Sequence, residues 1–223
     1  MSGNRGNLLP VYVLADESGS MSRHIRELNR GLASLHEALL GEPMAAAKVR
    51  FSILGFADNV QERLSLADLR QANELPALTA RGSTSYRSAF SALQQRIPQD
   101  VKALKAEGWS VHRPAVFFLS DGQPTDEWRD VYGQLIDRNV TLGSPNIIAC
   151  GIGDVRPETI VEVATRPEYG FVAKAGVDLG AAIAQFCTAL TKSIVESGRS
   201  LGSAQPELVV QQPEGFRMAI DVV

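Results

Sequence analysis

The residues best suited to chemistry stand in "VYVLADESGSMS", residues 11–22, where an apolar run ends in an acid. Oxygen-bearing side chains then follow at every second position: Asp16, Ser18 and Ser20. In an extended turn, a spacing of two points side chains the same way, so one carboxylate and two hydroxyls can surround a common point. Hard oxygen donors of low total charge suit Mg²⁺, which takes six oxygens at about 2.0–2.1 Å and keeps some of its water. The same residue types also cap helices, and Ser20 or Ser22 could instead begin one here.

The elements that must hold this ladder alternate in type. The runs 10–16, 49–56, 114–121, 146–153 and 169–175 are short, rich in β-branched and aromatic residues and bounded by turn residues, which predicts strands. Several are apolar at successive positions, as a strand covered on both faces requires. Between them Ile25, Leu28, Leu32, Leu35 and Leu39 step by three and four, predicting an amphipathic helix over 22–40. Further helices are expected at about 85–106, 126–138, 156–165 and 177–195. "GFADNVQERLSL" places Ala57, Asp58 and Asn59 between two strand-like runs, which predicts a hairpin and one antiparallel strand. The order predicts an α/β fold: an open, doubly wound, mostly parallel sheet with helices on both faces. Ligands bind such sheets at the carboxyl ends of strands where the winding reverses, and a reversal between strands 10–16 and 114–121 would set their loops side by side.

Two further stretches join the first. "ARGSTSYRSAF" carries Thr84 in a Gly- and Ser-rich loop before a helix, and "FFLSDGQPTDEW" ends a buried strand with Asp121. In order and spacing, "DESGS", "GST" and "LSDGQPTD" resemble the metal-ion-dependent adhesion site (MIDAS) of von Willebrand factor A (VWA) domains. The resemblance covers residues 8–195 and leaves 196–223 as a linker and C-terminal tail. "DESGSM" and "LSDGQPTD" are also similar to the stand-alone bacterial TerY-like proteins associated with tellurium resistance. The likeness implies a Rossmann-like VWA fold. It also implies a metal held by Asp16, Ser18, Ser20, Thr84 and Asp121, the acids often acting through bound water. Mg²⁺, Mn²⁺ or another divalent cation would be the cofactor. The implied function is a non-enzymatic module for metal-dependent protein–protein interaction, in which a partner's Asp or Glu completes the metal's shell. An assembly role in a tellurium-resistance or stress-response system with kinase- and phosphatase-like partners follows from the same likeness.

Other chemistries fit less well. A phosphoryl-transfer enzyme of haloacid-dehalogenase-like type would use Asp16 with Mg²⁺, but it needs a second Asp two residues on, where Ser18 stands. "CGIGDVR" offers Gly151 and Gly153, yet Arg156 occupies the place of the third glycine of a dinucleotide fingerprint. His24, His36 and His112 have no metal-ligand spacing and are expected at the surface or at caps. Trp109 and Trp128 are expected to pack, and "EWRD" at 127–130 to border Asp121.

The net charge is −3, from 22 basic and 25 acidic residues without a long basic run, which gives no footprint for nucleic acid or an anionic membrane. Neither a signal-like segment in "MSGNRGNLL" nor a membrane-length apolar run is present, so a cytoplasmic protein is expected. Cys150 and Cys187 lie in apolar runs and are expected as reduced core thiols, with no redox role toward tellurite. The tail carries Glu207, Glu214 and Asp221. It could pack along its own domain or stay mobile, or self-associate by offering a carboxylate to a neighbour's metal.

Overall fold

A computed structural model describes residues 5–222. In chain order the elements are β1 (Asn7–Asp16), α1 (Ile25–Leu40), α2 (Pro43–Ala46), β2 (Val49–Phe56), β3 (Val60–Ala67) and α3 (Tyr86–Ala106). There follow β4 (Ser110–Val111), β5 (Ala115–Ser120), α4 (Arg129–Ile136), β6 (Asn146–Gly151), α5 (Pro157–Val163), β7 (Gly170–Ala173), α6 (Leu179–Ser200) and β8 (Phe216–Met218). The sheet runs β3-β2-β1-β5-β6-β7-β8, with β4 pairing separately on β1. Strands β2, β1, β5, β6 and β7 are mutually parallel. β3 returns antiparallel to β2 through the expected hairpin, and Ala57 N–H donates to Asn59 O across its turn.

β1 is buried from Leu8 to Asp16, and β5 along its whole length, which is why both read as unbroken apolar runs. α1, α2 and α6 pack on one another, and α3 packs on α4, giving two helical layers. On α1 the buried stripe is Leu28, Leu32, Leu35, His36 and Leu39. The helix begins at Ile25 rather than at residue 22, because Gly19–Arg23 close into a 3₁₀ turn that carries the oxygen ladder. His36 also departs from expectation. It lies in the core, where its Nε2 sits 2.8 Å from Leu69 O and ties α1 to the segment after β3.

Trp128 packs as expected, within an aromatic group that includes Tyr86, Phe90 and Tyr132. Trp109 instead lies under the guanidinium groups of Arg5 and Arg50, 5.8 and 5.3 Å from its ring centroid. Both cysteines are buried free thiols. No helix among the described residues is long and apolar enough to cross a membrane.

Within the chain the tail packs along its own domain. Ser193, Ser197 and Ser200 lie on one face of α6. Their hydroxyls accept from the backbone N–H groups of Gln211, Val209 and Glu207, each at 2.9 Å. An extended segment presents alternate N–H groups in one direction, so a helix face with hydroxyls at successive turns can substitute for a neighbouring strand. The chain then adds β8 antiparallel to β7, with Phe216 and Ala219 buried.

Candidate metal centre

The winding reverses between β1 and β5. From β1 the chain passes outward to β2 and β3, then returns to β5 on the other side. The register pairs Ala15 with Leu119, so Asp16 and Ser120 end adjacent parallel strands and Asp121 lies one residue beyond. Asp16 is fully buried. Its Oδ2 accepts from Ser120 Oγ at 2.6 Å and its Oδ1 from Ser18 N–H at 2.8 Å.

The ladder continues outward as a chain of oxygens. Ser18 Oγ and Ser20 Oγ are 2.9 Å apart, and Ser20 Oγ donates to Asp121 Oδ1 at 2.7 Å. The hydroxyl of Ser20 is thus committed to Asp121 rather than to a helix start. His24, at the head of α1, makes no side-chain capping bond either, so the capping reading of the motif is set aside.

Thr84 arrives from the loop before α3. Gly19 N–H donates to Gly82 O, Thr125 donates to Thr84 O through both N–H and Oγ1, and Tyr86 Oη donates to Gly122 O. Thr84 Oγ1 lies 3.5 Å from where a β-carbon would stand on Gly122, beside Asp121. The five predicted residues therefore converge from three loops. At the rim, the expected 127–130 segment is present: Arg87 pairs with Asp130 and donates to Glu127 O.

Electrostatics separate this cluster from an ordinary polar core. Burial raises the Asp16 carboxyl above its usual range, against the lowering by the hydrogen bonds from Ser120 and Ser18, and Asp121 raises it further. Burial also raises Asp121, against the hydrogen bond from Ser20 and the proximity of His24. Among the described residues neither acid forms an ion pair with Arg or Lys. The donors are two carboxylates and three hydroxyls. Such a set fits a hard divalent cation, which would supply the missing positive charge.

Glu17, between Asp16 and Ser18, was missed as a functional residue. It is fully buried, yet it has two cations: Arg63 at 2.8 Å and Arg81 at 3.0 Å. Its Oε1 also accepts from Thr79 N–H, while Arg81 reaches Gly55 O and the side chain and backbone oxygens of Asn59. One buried carboxylate thus binds the ladder to residues 79–81 and onward to Thr84. Gly55 makes room for it, since a β-carbon there would lie 2.3 Å from the Glu17 carboxyl carbon. The same loop is fixed at Gly82, whose φ of +56° favours glycine and which lies against Asp58. Asp58 Oδ1 accepts from Ser83 N–H at 2.9 Å. The available signal for Glu17 was an acid directly after a buried strand, facing two arginines that only the fold brings near it. Ser120 had the same kind of signal, a hydroxyl ending an apolar run beside Asp121.

Comparison with characterised sequences gave no match. Among solved structures, the pilus adhesin SpaC from Lactobacillus rhamnosus GG is similar at a TM-score of 0.62 and 13% identity, covering 87% of this chain and 31% of that one. Proximal thread matrix protein 1 from the mussel byssus, with a zinc-occupied MIDAS motif, is similar at 0.59 and 14%, covering 86% and 48%. A von Willebrand factor type A protein from Catenulispora acidiphila is similar at 0.54 and 14%, covering 85% and 43%. The chain spans less than half of each of these proteins, and at such identities the likeness is one of fold. The family model for the von Willebrand factor type A domain matches residues 11–181, most of the chain, which therefore belongs to the von Willebrand factor type A family.

Proposed function

We propose that the protein is a metal-dependent protein-interaction module whose cation is held by Asp16, Ser18, Ser20, Thr84 and Asp121. One observation carries the reading. Two neighbouring carboxylates, one fully and one largely buried, are bonded to hydroxyls and have no Arg or Lys partner among the described residues, while the adjacent Glu17 has two. Uncompensated charge of that kind is costly in a protein interior and is retained where a cation completes it. Mg²⁺ suits these oxygens, and Mn²⁺ the same set. When bound, the cation would retain much of its charge and leave a position for an acidic group from outside.

The chain's own residues set that geometry. Ser120 and Ser18 N–H fix the orientation of Asp16, Ser20 fixes Asp121, and the aromatic packing of Tyr86 against Phe118 and Trp128 supports the floor. Nothing here serves as a general acid beside Asp16 at position 18, which favours binding over phosphoryl transfer. The partner is then a protein that presents an Asp or Glu. The "DESGSM" and "LSDGQPTD" segments support the finer proposal of a TerY-like, cytoplasmic assembly factor in a tellurium-resistance or stress-response system with kinase- and phosphatase-like partners.

The test uses a panel of Glu-containing peptides and their Gln counterparts, with Mg²⁺ or with chelator, and p-nitrophenyl phosphate as a turnover probe. Peptide binding that needs both Mg²⁺ and the carboxylate is the expected result. Binding indifferent to metal, or ester hydrolysis lost in Asp16→Ala, would overturn it.

A further inference from the structure

A second site lies at the opposite end of the sheet. His112 and Arg113 precede β5 and Ser144 precedes β6, so they gather at the amino ends of strands whose carboxyl ends carry the metal centre. With Lys105 from the end of α3 and Arg138 from just after α4, they line a cavity of about 270 Å³. No acid lines it. The acid nearest in sequence, Asp137, turns its carboxylate to Asn139 N–H instead. In a chain of net charge −3, three cations around one concavity are a local reversal of sign.

Arg113 is the decisive residue. Among the described residues five arginines are half-buried: 50, 63, 81, 96 and 113. Arg50 has Asp68, Arg63 and Arg81 share Glu17, and Arg96 has Glu62 and Asp100. Arg113 has only Ser144 O, at 3.2 Å, and no carboxylate among the described residues. The charges that act on it are those of Arg138 and Arg166, and burial together with these like charges lowers its guanidinium below the ordinary value. A partly desolvated guanidinium is normally paired, and its planar fork matches the oxygens of phosphate-type anions. His112, pushed toward its neutral form by burial, adds a ring that can donate a hydrogen bond.

We infer that this pocket binds a small phosphate-type oxyanion, anchored by Arg113 and flanked by Lys105 and Arg138. Its volume falls just below the roughly 300–1,000 Å³ of sites for drug-sized ligands, which fits a phosphate group rather than a whole nucleotide. The anion is either free in solution or esterified to a peptide hydroxyl.

The experiment titrates the full chain, without added divalent metal, with inorganic phosphate and with a phosphoserine peptide, at low ionic strength. Wild type is expected to bind, with affinity at least tenfold weaker in Arg113→Gln, partly restored in Arg113→Lys, and unchanged in Arg217→Gln at an exposed site elsewhere. Arg138→Gln, at an exposed position on the rim, is expected to weaken binding as a second probe that leaves folding intact. Given that pattern, tighter binding of the peptide assigns the esterified source and tighter binding of phosphate the free ion. Absence of binding in wild type, or equal binding by wild type, Arg113→Gln and Arg138→Gln, overturns the inference.

Discussion

Glu17→Ala is expected to destabilise the protein by about 3–5 kcal/mol, the typical cost of removing one partner from a buried ion pair. For a chain of this size that lowers the melting temperature by about 6–20 °C. The loss is large because Glu17 is fully buried and holds two guanidinium groups that are themselves mostly buried. Without it Arg63 and Arg81 repel each other, and Thr79 N–H loses its acceptor. Glu17→Gln keeps the shape and most acceptor geometry while removing the charge, so its loss is expected to be smaller. The consequence reaches function because Arg81 and Thr79 lie on the loop that delivers Thr84. Both variants are expected to weaken Mg²⁺ binding as well as stability. Thermal unfolding with and without Mg²⁺ checks this, and a Glu17→Ala protein as stable as wild type would refute the buried triad.

Asp16→Asn is expected to have the opposite effect on the metal-free protein and to make it more stable at neutral pH. The folded-state pKa of Asp16 is raised by burial, so the native state binds a proton more readily than the unfolded chain. Stability contributed by the protonated form is present below the ordinary carboxylate pKa of about 3.9 and is lost as pH rises through the raised value. Asparagine removes that loss. Its oxygen can accept from Ser18 N–H and its amide can donate to Ser120 Oγ, which already donates to Gly122 O at 3.2 Å as an alternative partner. In chelator, wild type is therefore expected to lose stability from acid toward neutral pH relative to Asp16→Asn, each kcal/mol appearing as about 2–4 °C in the melting temperature. With Mg²⁺ the order reverses, because only wild type gains from the cation. Melting curves at several pH values, with and without metal, measure both halves. An Asp16→Asn protein less stable than wild type in chelator would contradict the electrostatic account.

The fold was legible where periodicity was strong. β2 runs over the predicted 49–56, and the predicted 85–106 helix is α3 at Tyr86–Ala106, because each carries a clean apolar pattern and a clear boundary. The boundaries that moved did so for local reasons. α1 starts late because the oxygen ladder needs a 3₁₀ turn, and α4 starts at Arg129 after the carboxylate of Asp126 is taken by Arg87 N–H and Ser85 Oγ. His36 was misplaced because a polar residue on an apolar stripe reads as surface until Leu69 O is brought beside it. At the site, spacing gave the ladder of Asp16, Ser18 and Ser20, and the likeness to VWA domains implied Thr84 and Asp121 beside it. Neither gave Glu17 or Ser120, whose partners are remote in sequence and meet them only through the β2-β1-β5 pairing. The tail's docking was equally hidden, since serines at 193, 197 and 200 in the last turns of α6 have meaning only opposite an extended segment.

Calorimetric titration of metal-free protein with Mg²⁺ and Mn²⁺ decides whether the convergent oxygens hold a metal. Wild type and Asp121→Ala would be compared side by side. Wild type is expected to bind one cation saturably and Asp121→Ala to lose at least tenfold in affinity, with the fold intact by circular dichroism. Equal affinity in the two proteins, or no binding of either cation to wild type, would contradict a metal site at these oxygens.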